Sequence, residues 1–144
     1  MALNGTYDPD NIFAKILRGD MPAVTVHEDD VALAFMDIFP QAKGHTLVIP
    51  KGVQARNLIE MPGDRLGSYM LRVQNITRAV AAALEPDGIV VTQFNGAPAG
   101  QTVFHLHFHI IPRWEGEVLA GHSGGKQADM DELKSLARQI AAKV

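Results

Sequence analysis

His105-Leu106-His107-Phe108-His109-Ile110-Ile111-Pro112 places three imidazoles at alternate positions of an otherwise apolar run, the period of a β-strand with one face set aside for chemistry. Successive strand residues point to opposite faces at ~3.3 Å per residue, so the three histidines are expected to share a face, neighbours ~6.6 Å apart and the outer pair ~13 Å apart. Leu106, Phe108 and Ile110 then face a core. Three readings compete. A strand whose polar face happens to be histidine-rich accounts for one such residue better than for three in register. Two histidines at i and i+2 can hold one metal ion, since zinc takes imidazole nitrogens at ~2.0–2.1 Å. The third imidazole, ~13 Å from the first, does not easily converge on that ion. No carboxylate follows either, the next residues being Ile110, Ile111, Pro112 and Arg113. The third reading is a row of imidazoles at work on one phosphate, the middle one attacking while its neighbours contact oxygens or the departing group. An ordinary pKa of ~6.5 lets a neutral ring act as nucleophile and a charged one as acid near pH 7.

Outward from this run, the pattern predicts several strands and a few helices. Ile12 to about Arg18 reads as a short helix stopped by Gly19 and Pro22. Val24–His27, Val31–Asp37, His45–Ile49 and Gly88–Phe94 read as strands, the first two joined tightly through Glu28, Asp29 and Asp30. A long helix is expected from about Asp64 to Leu84, where Leu66, Met70, Val73, Ile76, Val80 and Leu84 recur at steps of three and four. Leu71, Ala79, Ala82 and Ala83 broaden its apolar surface beyond one stripe, and Pro86-Asp87-Gly88 ends it. A last helix starts near Met130, with Asp129 and Glu132 arranged as a capping box and Leu133, Leu136 and Ile140 on one face. The expected class is α+β, an antiparallel sheet of about five strands with a long helix and a C-terminal helix.

No linker, repeat or low-complexity tract divides the chain, so its 144 residues, 47% of them hydrophobic, are expected to form a single domain over 1–144. Its core would span about residues 10–115, with a helix-bearing extension over about 116–144. The net charge of −3 leaves no basic footprint for nucleic acid. With no cysteine, neither disulfides nor thiolate metal sites are available. The start lacks the pattern of a signal peptide and no apolar run reaches ~18 residues, so no membrane partner and a cytoplasmic location are expected. Gly121-His122-Ser123-Gly124-Gly125-Lys126 is not a phosphate-binding P-loop, because Ala120 and Gln127 occupy two of its obligatory positions; a mobile loop is expected there. Trp114 reads either as a core aromatic or as a wall toward a neighbouring subunit.

His-φ-His-φ-His-φ-φ, with φ apolar, resembles the signature of the histidine triad (HIT) superfamily. Asn11–Ile16, Ala34–Ile38 and Gly44–Lys51 are similar to successive blocks of its bacterial Hint-like branch, in order and spacing, so that the resemblance covers roughly residues 10 to 115. It implies a homodimeric hydrolase or transferase that cleaves a nucleoside 5'-phosphoramidate, or a related conjugate of a purine nucleotide, at the α-phosphorus. His107 would be the nucleophile of a nucleotidyl-histidine intermediate, flanked by His105 and His109, with His45 orienting it. Asp37, otherwise a turn carboxylate, would accept the ribose hydroxyls. Ile12, Phe13, Phe35 and Ile38, which read equally as core, would sandwich the base. Gln101 and Thr102, otherwise ordinary polar residues at a strand start, would contact phosphate or leaving group.

Two departures qualify the match. The structural zinc of many bacterial relatives is held by a Cys-x-x-Cys pair, a later histidine and the first triad histidine; here those positions read Asn11, Ala14, Val53 and His105. Three ligands of four are gone together, so neither metal nor cofactor is expected. Phe94 stands where relatives often carry an asparagine, with Asn95 adjacent as a substitute substrate contact. Two other functions stay open: a dinucleoside polyphosphate hydrolase, or a nucleotide-binding interaction protein whose activity is incidental. Retention of all three histidines argues against the second, because binding needs no nucleophile.

Overall fold

In a computed structural model that describes residues 3–118 and 126–144, the order is helix α1 (Ile12–Arg18), strands β1 (Thr25–Glu28), β2 (Ala32–Met36) and β3 (Thr46–Pro50), helix α2 (Gly63–Leu84), strands β4 (Gly88–Thr92) and β5 (Phe108–Arg113), and helix α3 (Met130–Ala141). The five strands form one antiparallel sheet in the order β1-β2-β3-β5-β4. The class is α+β, as expected.

Local chemistry sets the helix ends. Asn11 caps α1 by accepting the Ala14 N–H, and Gly19 closes it in the left-handed conformation at φ 83°. Asp129 caps α3 by accepting the Glu132 N–H, the first half of the anticipated capping box. Both faces of β2 and β3 are covered, so these strands are buried at every position. Ala34, Met36, Val48, Leu106 and Ile110 pack with α2 and α3. Leu33, Phe35, Leu47 and Ile49 form the opposite layer with Phe13 of α1. On α2 the buried residues are Tyr69, Val73, Ile76, Ala79 and Val80. Tyr69, absent from the anticipated stripe, is fully buried because its hydroxyl donates to the Val48 carbonyl. Ala79, expected beside the stripe, lies within it.

The histidine segment departs from the expected single strand. Pairing begins only at Phe108; before it, the Leu106 amide donates to the Ala55 carbonyl instead of to a neighbouring strand. Leu106, Phe108 and Ile110 do face the α2–α3 core. Gly121 to Gly125, the greater part of the expected mobile loop, lie outside the described residues. Among the described residues no helix is long and apolar enough to cross a membrane.

Candidate active site

The short β2–β3 connection builds one wall. Gly44 turns the chain at φ 86°, in close packing where a side chain would collide with Leu84, and His45 follows, fully buried. The Gln41 N–H donates to His45 Nδ1 at 3.0 Å, so the proton of the neutral ring sits on Nε2. That nitrogen lies 3.0 Å from His109 Nδ1 and 3.5 Å from Asp37 Oδ2. Donation to His109 Nδ1 leaves the proton of a neutral His109 on its own Nε2. Asp37 Oδ1 accepts the Phe39 N–H at 2.8 Å.

His109 stands on β5 opposite Leu47 of β3. His107 precedes it, the ring centroids 4.9 Å apart, with the edge of Phe13 packed on His107 at 4.9 Å. His107 Nδ1 lies 2.7 Å from the His105 carbonyl oxygen, which can only accept. The proton is therefore on Nδ1 and the lone pair on Nε2. Burial pushes the His107 pKa down, opposed by the bond to the His105 carbonyl. This ring is neutral near pH 7.

His107 and His109 line a cavity of about 800 Å³ together with Ile12, Phe13, Phe35, Asp37, Ile38 and Thr102. Eight anticipated residues thus meet around one space, mostly apolar with a carboxylate and two imidazoles. Four anticipated residues stand outside it. His45 is behind His109. The ring of His105 is turned away, its Nε2 on the Pro50 carbonyl at 3.1 Å and its Nδ1 on the Tyr7 hydroxyl at 2.6 Å. Burial lowers its pKa to about 4. Gln101 is spent on the backbone, accepting from Gly96 N–H and donating to the Arg56 and Val103 carbonyls. Asn95 accepts from the Leu58 N–H and from Gln93. Phe94, read as a departure, packs against His109 with centroids 5.6 Å apart.

The cavity also takes residues that sequence reasoning missed: Ile16, Leu47, and Met130, Lys134 and Arg138 of α3. Alternation with His45 was a usable signal for Leu47. Nothing local marked the α3 residues, whose place depends on how the helix docks.

Asp37, His45 and His109 bring potential ligand atoms within 4.8 Å of one another. The donor set does not suit a metal ion, because His45 Nδ1 already accepts an N–H and its Nε2 must carry the proton. A proton relay fits the same atoms.

Residues 18–116 match the HIT domain family. A crystal structure of a Hit-like protein from Bartonella henselae, described as involved in cell-cycle regulation and holding an unknown ligand, superposes with a TM-score of 0.91 at 48% identity, covering 97% of this chain and 100% of that one. An adenosine 5'-monophosphoramidase of Schizosaccharomyces pombe is 37% identical over 134 residues, 92% of this chain and 97% of its own. An adenylylsulfatase of Arabidopsis thaliana is 35% identical over 142 residues, 94% of this chain and 72% of its own.

Proposed function

Because the chain belongs to the HIT family, we propose that it is a hydrolase or transferase that cleaves a purine nucleoside 5'-phosphoramidate, or a related nucleotide conjugate, at the α-phosphorus. The observation that carries this reading is the fixed tautomer of His107, whose Nδ1–H is committed to the His105 carbonyl at 2.7 Å. A neutral imidazole with its Nε2 lone pair beside a cavity is a nucleophile ready at neutral pH.

In the first step Nε2 of His107 bonds to phosphorus while the bond from phosphorus to the leaving nitrogen breaks. His109 Nε2–H hydrogen-bonds to that nitrogen with the Thr102 hydroxyl alongside, the nitrogen takes up a solvent proton, and the amine departs. In the second step water attacks phosphorus, the bond to His107 breaks, the proton of the attacking water returns to solvent and the nucleoside monophosphate leaves. His45 holds His109 in the tautomer that donates, and Asp37, on the cavity wall, is the carboxylate placed to accept the ribose hydroxyls. Ile12, Phe13, Phe35 and Ile38 supply the apolar slot a purine ring needs. The names of the S. pombe and A. thaliana relatives support attack at the α-phosphorus of adenylyl conjugates.

The test is turnover of adenosine 5'-phosphoramidate against diadenosine polyphosphates at equal concentration. Faster release of AMP from the phosphoramidate is expected; a preference for the dinucleotides would overturn this reading in favour of a polyphosphate hydrolase, and no turnover of any conjugate would favour an interaction protein.

A further inference from the structure

Tyr7 lies 98 positions from His105 in sequence, yet its hydroxyl meets His105 Nδ1 at 2.6 Å, edge-on with ring centroids 5.8 Å apart. The proposed reaction makes no use of it. The segment around it is anchored at a second point, where the buried Arg56 donates from Nη2 to the Leu3 carbonyl at 2.7 Å. Tyr7 is therefore delivered to the histidine from a tethered stretch of chain.

The two nitrogens of His105 have unequal partners. The Pro50 carbonyl can only accept, so His105 Nε2 carries the proton and Nδ1 must accept, which makes Tyr7 the donor. His105 is fully buried, so with the hydroxyl gone its Nδ1 would be an acceptor without a donor. A buried polar atom left unsatisfied is costly, and the ring relieves that cost by turning or changing tautomer. Either response moves the residue whose own carbonyl oxygen holds His107 Nδ1–H.

We propose that Tyr7 is a positioning residue for the nucleophile: by donating to His105 Nδ1 it fixes that ring and, through the His105 carbonyl, the tautomer and aim of His107. The inference rests on the reading of His107 as nucleophile. Tyr7 does not line the cavity, so it acts on the chemical step and not on substrate binding. This separates it from Phe13, which touches the His107 ring and lines the cavity as well.

The experiment compares the full-length wild type with Tyr7→Phe, which keeps the aromatic ring and removes only the donor. Rates with adenosine 5'-phosphoramidate are taken per folded molecule, and ¹⁵N NMR reads the histidine tautomers in both proteins. The expected result is a roughly tenfold loss in kcat with KM unchanged within about twofold, a barrier increase of ~1.4 kcal/mol. His105 should lose its pure Nε2–H signature and His107 its pure Nδ1–H signature. A kcat equal to wild type, a loss expressed only in KM, or a His107 tautomer that does not respond to the substitution would each overturn the proposal. If the wild type turned over none of the conjugates, the proposed function would fall while the NMR comparison still decided the coupling: a mixed His107 tautomer in Tyr7→Phe sustains it, and an unchanged one refutes it.

Discussion

At the scale of single residues, protonation decides the account. The lone pair on His107 Nε2 attacks only while the ring is neutral, and burial pushes its pKa below the ordinary ~6.5. As pH falls, the nucleophile is lost only when pH passes through that lowered value, so neutral His107 persists across the range where a solvated imidazole would already be charged. With a nucleotide conjugate whose leaving group is stable as an anion, and so needs little acid help, the acid limb of kcat/KM should have its midpoint below the ordinary ~6.5. An acid limb centred at or above 6.5 in that pH–rate profile would contradict the burial argument. The sequence made His107 and His109 legible as neighbours on one face, and it could not make Tyr7 legible. An alternating pattern is local, whereas a hydroxyl that reaches a buried ring from 98 positions away leaves no local trace.

At the scale of elements, what was legible followed the two periodicities. Helix α2 announced itself through its three-and-four spacing, but the buried Tyr69 was missed because a tyrosine is equally at home on a surface until its hydroxyl finds a carbonyl such as that of Val48. Strands β2 and β3 were visible as apolar runs, and their burial on both faces explains why no alternation of polar residues marked them. The histidine run shows the limit of the method. Period two correctly separated Leu106, Phe108 and Ile110 from His107 and His109, yet ladder pairing starts at Phe108 because the Leu106 amide is taken by Ala55 of another loop. That diversion allows His105 to place its ring on Pro50 and Tyr7 while His107 and His109 stay at the cavity. Gln101 and Asn95 were misplaced for a related reason. A polar side chain beside a site reads alike whether it faces the substrate or braces the loop, and both brace the loop.

At the scale of the whole molecule, one sheet edge is open. Among the described residues strand β4 pairs only with β5, and its other side carries backbone groups with no strand beside them, with Val90 39% and Val91 43% exposed. Leu71 of α2 is 48% exposed. We expect a second copy to pair along this edge, giving a homodimer and a sheet continuous across two chains. Sedimentation at micromolar concentration should return twice the chain mass, and Val91→Lys on the edge should shift it toward one; a wild type already at one chain mass would refute the assembly. The central claim, covalent catalysis by His107, is tested most directly by quenching turnover of adenosine 5'-phosphoramidate without acid and measuring intact mass. The account predicts an adenylyl adduct mapping to His107 in the wild type and no adduct in His107→Ala, with nucleotide binding largely kept; an adduct on His105 or His109 would contradict it.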